Sequence, residues 1–201
     1  VSNEEAKTRL LQMGESTDKI SIIGSPDIDI MLSNSLPDIS EVKSHYGINF
    51  DEYGVLLFHP VTTEAYKTKE QITSIIEGIN KTNKKFVVIY PNNDLGSQDI
   101  ISAYERLSKN FRVIPSMRFE YFVTLLKKAN LILGNSSAGV REAPYFGIPT
   151  INIGSRQNER SNESSVLDID FNNNAIEKSI NQFFYTKFPK SQSWGGIGTS
   201  E

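Results

Sequence analysis

Four polar segments carry residue types able to do chemistry, and each follows a short strand-like run. His59 follows the run at 55–58, and Pro60 fixes the chain just beyond it. An imidazole there can donate to a phosphate or shuttle a proton; the plainer alternative is a histidine that only packs in its loop. Asn92 follows 86–90, in Pro91-Asn92-Asn93-Asp94-Leu95-Gly96-Ser97, where Asn and Asp are also ordinary turn residues and Ser97 an ordinary helix cap. Gly134-Asn135-Ser136-Ser137-Ala138-Gly139-Val140-Arg141-Glu142 follows 131–133, and its small residues let a ligand approach the backbone. Ser136 and Ser137 fall where a helix begins, and unpaired N–H groups there favour a phosphate. Glu142, about one turn further on, can accept from vicinal hydroxyls such as a ribose diol. The alternative is an N-cap serine and a glutamate favoured by the helix dipole, with no ligand. Arg156, after Gly154, suits a phosphate or stands exposed in solvent. Taken together, these groups suit a nucleoside diphosphate better than any one of them does.

Other chemistries lack their residues. The Ser-Ser loop has no lysine where a P-loop needs one, and there is no Gly-x-Ser-x-Gly elbow, carboxylate pair or His/Asp cluster with metal spacing. The 201 residues include no cysteine, which excludes disulfides, thiolate zinc and a Cys nucleophile. Lys+Arg 21 against Asp+Glu 24 gives 21 − 24 = −3, against a nucleic-acid binder that works by bulk positive charge. No apolar run approaches the ~18 residues of a membrane helix, and no signal-peptide pattern follows Val1, so the expectation is a cytoplasmic globular protein. A chain that opens on Val1 rather than Met is expected to be a piece of a longer one.

The positions of these groups follow from the elements around them. Apolar runs at 55–58, 86–90 and 131–133 and short strands at 112–114 and 150–152 alternate with helix-periodic stretches at 68–80, 100–107, 119–126, 138–145 and 174–184. Unbroken apolar strands mean a sheet covered on both faces, and strand–helix alternation means parallel βαβ units. The fold expected is therefore α/β, a Rossmann-like doubly wound parallel sheet over about residues 50–180. Ligands of such sheets lie at the strands' carboxyl ends. Upstream, Ser2 and Glu5 read as a capping box opening a helix that stops at Gly14, and the run 20–23 reads as a buried strand. Residues 26–53 read as a linker with one short helix at 39–46. The run Gly195-Gly196-Ile197-Gly198 reads as too flexible for core.

The same residues carry a family resemblance. His59-Pro60-Val61-Thr62-Thr63, the segment 91–97, the segment 134–142, Gly147-Ile148-Pro149 and Asn152-Ile153-Gly154-Ser155-Arg156-Gln157 together resemble the hydrolysing UDP-N-acetylglucosamine 2-epimerases of sialic-acid synthesis. Val1–Lys7 and Gly24-Ser25-Pro26-Asp27 match as well, so the resemblance spans nearly the whole chain in order. Non-hydrolysing epimerases carry an Arg-Arg-Glu-Asn run after the corresponding histidine and a Ser-Gly-Gly loop, and this chain resembles them less.

The resemblance implies a two-Rossmann (GT-B) enzyme of which this is the C-terminal half. Residues 1–25 would end the first domain, 26–50 would be the hinge, 51–180 the nucleotide-binding domain, and 181–201 a tail returning to the first domain. It implies elimination of UDP from the sugar to a 2-acetamidoglucal and hydration to N-acetylmannosamine, with no cofactor or metal and with the acid–base carboxylates in the other domain. Carried over by position, Ser136 and Ser137 would bind the diphosphate, Glu142 the ribose and Arg156 the nucleotide. His59 would assist the departing UDP, Asn92 would line the cleft, and the backbone around Met117 and Arg118 would meet the uracil. A UDP-sugar, no nucleic acid, no membrane and a homo-oligomer (dimer or tetramer) of the full-length protein complete the expectation. Relatives acting on other UDP- or GDP-linked amino sugars, a GT-B glycosyltransferase and a non-catalytic nucleotide-sugar module are the alternatives.

Overall fold

The computed structural model describes residues 1–191, 193, 195 and 198. Six strands form one parallel sheet in the order β3-β2-β1-β4-β5-β6: β1 Gly54–Leu57, β2 Phe86–Ile89, β3 Phe111–Ile114, β4 Leu131–Gly134, β5 Thr150–Ile153 and β6 Val166–Ile169. The strand order reverses between β1 and β4, which makes their carboxyl ends the switch point. The register is continuous, with Leu57 opposite Ile89 on one side and opposite Gly134 on the other.

Alternate residues of β1 to β4 enter opposite cores. Leu56, Phe58, Val88, Leu133 and Ile151 pack under α4 (Thr68–Asn80), α5 (Ser97–Tyr104) and α8 (Asn173–Phe183). Val55, Val87, Ile114 and Ile132 pack under α3 (Ile39–Tyr46) and α6 (Phe119–Lys128). Both faces are therefore dry, which is why the strands read as unbroken apolar runs. The fold is the α/β Rossmann-like doubly wound sheet expected from the sequence.

Several local expectations are corrected. The first helix, α1 (Glu4–Gln12), is capped by Asn3 rather than Ser2: Asn3 Oδ1 accepts from the Ala6 N–H at 2.9 Å. Residues 20–23 form no strand. Ile20 N–H donates to the Thr17 carbonyl (3.2 Å), and the segment meets the chain start, where the Val1 amine donates to the Ser21 carbonyl (2.8 Å) and Ile23 N–H to the Val1 carbonyl (2.9 Å). Without a ladder partner among the described residues, Ile22 and Ile23 remain exposed. The 26–53 stretch holds two helices, because α2 (Asp27–Met31) buries Ile28 and Met31 in less than two turns, too short to show a period. The edge strand β6 was missed because its burial is only partial and Asp168 interrupts it.

The correction nearest the chemistry concerns residues 138–145. One helix was expected; α7 covers only Ser137–Val140, and a separate 3₁₀ turn covers Ala143–Phe146. Pro144 has no N–H to give the Val140 carbonyl, so the α-helix ends before it. The tail packs back onto this turn: Phe188 N–H donates to the Gly147 carbonyl (3.1 Å) and Ser191 N–H to the Pro144 carbonyl (3.0 Å). Of the glycine run near the end, Gly196 and Ile197 lie outside the described residues.

Candidate functional site

A cavity of ≈ 710 Å³ opens at the switch point. Five strand ends line it: Leu57 at the end of β1 and His59 after it, Tyr90 to Asn93 after β2, Pro115 to Met117 after β3, Ser136 to Ala138 and Glu142 after β4, and Arg156 after β5. Ile89, Phe119 and Phe122 add an apolar wall. Seven of the eight residues singled out in the sequence thus meet in one place. Arg118 does not line the cavity: its N–H donates to Tyr46 Oη (3.3 Å), its carbonyl accepts from Phe122, and its guanidinium lies over the Tyr121 ring.

His59 is 7% exposed. Its Nδ1 accepts from the Asn92 N–H at 3.1 Å, so the neutral ring carries its proton on Nε2. Burial, with the nearby Arg156 charge, pushes its pKa down to about 4, against a smaller opposing pull from Asp94. At neutral pH the ring is a hydrogen-bond donor rather than a cation. Asn92 acts here through its backbone as well as by lining the wall.

Glu142 is buried, and its Oε2 has no hydrogen-bond partner. Burial raises its pKa, with the neighbouring Arg141 charge opposing the rise. A buried, unsatisfied carboxylate oxygen at a cavity wall is a site awaiting a donor. Ser136 Oγ accepts from the Ala138 N–H (3.3 Å), which leaves its O–H free to donate. Because α7 is a single turn, any anion here is held by local hydroxyls and N–H groups rather than by a long helix dipole.

The loop conformation depends on Gly134. Its φ is +134°, and a Cβ there would stand 2.2 Å from the Leu57 carbonyl oxygen of the neighbouring strand. Only glycine lets β4 turn away from β1 at this point.

The sequence reading missed Asn135, which is 0% exposed. Its Oδ1 accepts from the His59 N–H and its Nδ2 donates to the His59 carbonyl, both at 2.8 Å. Its own carbonyl accepts from Arg156 Nη1 (3.1 Å) and Gln157 Nε2 (3.0 Å). The available signal was an amide placed directly after a buried strand at the switch point. Among the described residues no group of three or more His, Cys, Asp or Glu gathers to hold a metal ion, and no helix is long and apolar enough to cross a membrane.

Known proteins resemble this chain in sequence and in fold. Residues 1–195 match the family model described as UDP-N-acetylglucosamine 2-epimerase. The chain is 44% identical over 183 residues to a UDP-N-acetylglucosamine 2-epimerase of Neisseria meningitidis serogroup B, covering 90% of this chain and 48% of the relative. It is 31% identical over 206 residues to a UDP-N,N′-diacetylbacillosamine 2-epimerase (hydrolyzing) of Legionella pneumophila, covering 100% of this chain and 54% of that one. The solved structure of the Methanocaldococcus jannaschii UDP-GlcNAc 2-epimerase in complex with UDP-GlcNAc and UDP shares the fold, with a TM-score of 0.79 at 21% identity, over 100% of this chain and 58% of that one. The chain spans about half the length of the curated relatives it matches. On the match over residues 1–195, the chain belongs to the UDP-N-acetylglucosamine 2-epimerase family.

Proposed function

We propose that this chain is the UDP-binding C-terminal portion of a hydrolysing UDP-N-acetylglucosamine 2-epimerase. The observation that carries the reading is the unsatisfied Glu142 Oε2 in a cavity whose other wall holds His59 and Arg156. In this reading the Ser136 and Ser137 hydroxyls and the Arg156 guanidinium hold the diphosphate. His59 Nε2–H donates to it and disperses the charge that grows as UDP leaves. Glu142 accepts from the ribose hydroxyls. The uracil lies against Met117 and the apolar wall, with the backbone before Arg118 facing it.

Elimination breaks C2–H and C1–O of the sugar: the proton goes to a base, the C1–O electron pair leaves with UDP, and a 2-acetamidoglucal remains. Water then adds its hydroxyl at C1 and a proton at C2, giving N-acetylmannosamine. The cavity presents no carboxylate pair for those proton transfers, which the resemblance assigns to the first domain (ending at about residue 25, with a hinge to about 50). The chain alone is therefore expected to bind UDP weakly and to turn nothing over. The full-length enzyme is proposed as a cytoplasmic dimer or tetramer. A second reading, supported by the diacetylbacillosamine relative, is the same reaction on another UDP- or GDP-linked amino sugar.

Glu142→Ala tests the ribose role. Losing a hydrogen bond to a charged group costs about 1.5–3 kcal/mol, so UDP affinity is expected to fall roughly ten- to 150-fold. The variant should no longer distinguish UDP from 2′-deoxy-UDP. Equal affinities for the two nucleotides in the unmodified chain remove Glu142 from the ribose.

A further inference from the structure

The ladder between β1 and β4 ends at the pair Leu57–Gly134. One residue further, the Asn135 side chain takes over from the backbone. Its carboxamide offers His59 one acceptor and one donor, both at 2.8 Å, as a paired strand would. The Asn135 N–H itself donates back to the Leu57 carbonyl at 3.3 Å. Its carbonyl spends both lone pairs on the β5 loop, accepting from Arg156 and Gln157. One fully buried residue therefore ties together the loops after β1, β4 and β5.

We propose that Asn135 is the positioning residue that presents His59 and Arg156 to the diphosphate, an assignment that rests on the nucleotide reading above. Residue chemistry makes the choice narrow. Aspartate accepts from the His59 N–H but sets a charge against the His59 carbonyl. Leucine makes neither bond, and glutamine is one methylene too long for the same reach. The effect reaches the imidazole through geometry: His59 Nδ1 meets the Asn92 N–H at 3.1 Å only while the His59 main chain is held. The fully buried clamp excludes water, so nothing else substitutes for a lost bond.

The test uses the 201-residue chain and its Asn135→Asp and Asn135→Ser variants. Two-bond nitrogen–proton spectra report the tautomer of each imidazole, and exposed His45 serves as the internal reference. The unmodified chain is expected to show His59 as the single Nε2–H tautomer at pH 7. Folded Asn135→Asp should show averaged tautomers for His59 alone and at least tenfold weaker UDP binding, with far-UV circular dichroism unchanged. A folded variant with the His59 tautomer and UDP affinity both intact overturns the assignment. If neither variant folds, the Asn135 carboxamide of the unmodified chain decides: slow hydrogen exchange, slower again with UDP, supports the clamp, and fast exchange overturns it. If the unmodified chain binds no UDP, the nucleotide reading fails and with it the diphosphate role; the tautomer spectra still show whether the clamp holds the ring.

Discussion

Gly134→Ala is expected to produce the largest loss of stability of any single methyl group added to this chain near the site. The residue sits at φ +134°, a conformation an L side chain rarely adopts, and the added carbon would meet the Leu57 carbonyl oxygen at 2.2 Å. That atom is backbone of the central strand, so it cannot swing aside as a side chain does. Backbone strain costs about 1–3 kcal/mol and overpacking another 1–3 or so. The sum, about 2–6 kcal/mol, corresponds to a fall in Tm on the order of 10 °C for a chain of this size. Gly14→Ala is the internal control: Gly14 has φ +95° but nothing within 4 Å of an added carbon, so only the strain applies. Thermal melts of the two variants separate the contributions. Equal shifts would mean that the close approach of β1 and β4 is not what the glycine serves.

The second large effect is an acid limb in stability that belongs to His59. Its pKa, about 4 in the fold, lies below the 6.5 of a free imidazole. Above pH 6.5 neither state binds the proton and the full stability is present. As pH falls from 6.5 to 4, the unfolded chain takes up a proton that the fold refuses, and stability is lost. Over that window the loss is about 3 kcal/mol. Glu142 acts in the opposite direction, since its raised pKa lets the fold take up a proton sooner than the unfolded chain as the solution acidifies. The comparison that isolates His59 is therefore between the chain and His59→Gln, by urea midpoints at pH 7 and pH 4.5. The unmodified chain should lose more over that interval by about 2–3 kcal/mol. Parallel losses would contradict a buried neutral imidazole. The same neutrality has a functional side: His59 stabilises the departing phosphate by donating Nε2–H, not by bringing a positive charge.

Most of the architecture was legible because its signals are local. Four of the six strands are short, almost wholly buried runs, and such runs announce themselves without any periodicity to measure. Taking the residue after each run was then enough to reach His59, Asn92, Ser136, Ser137, Glu142 and Arg156, because the strands are parallel and their ends share one side. The failures have a common cause in interactions remote along the chain. Asn135 works through bonds to residues 59, 156 and 157, and its place directly after β4 is a weak signal that a turn asparagine shares. The run 20–23 has strand composition but no neighbour to pair with among the described residues, and composition alone cannot show the missing ladder. The half-buried β6 carries Asp168, whose carboxylate accepts from Asn152 Nδ2 at 2.7 Å, a pairing that turns an interrupted pattern into an edge strand. The split of the helix after Ser137 was readable in principle from Pro144. The resemblance places the backbone around Met117 and Arg118 against the uracil, and the fold gives the Arg118 backbone groups to Tyr46 and Phe122.

The central claim is that the cavity at the switch point binds a uridine diphosphate. Calorimetric titration of the chain with UDP, and with GDP as the control, tests it most directly. Saturable heat with UDP and none with GDP is the result expected if Ser136, Glu142 and Arg156 hold the diphosphate and ribose while Met117 and the apolar wall of Ile89, Phe119 and Phe122 select the uracil. Silence with UDP, or equal binding of GDP, contradicts it.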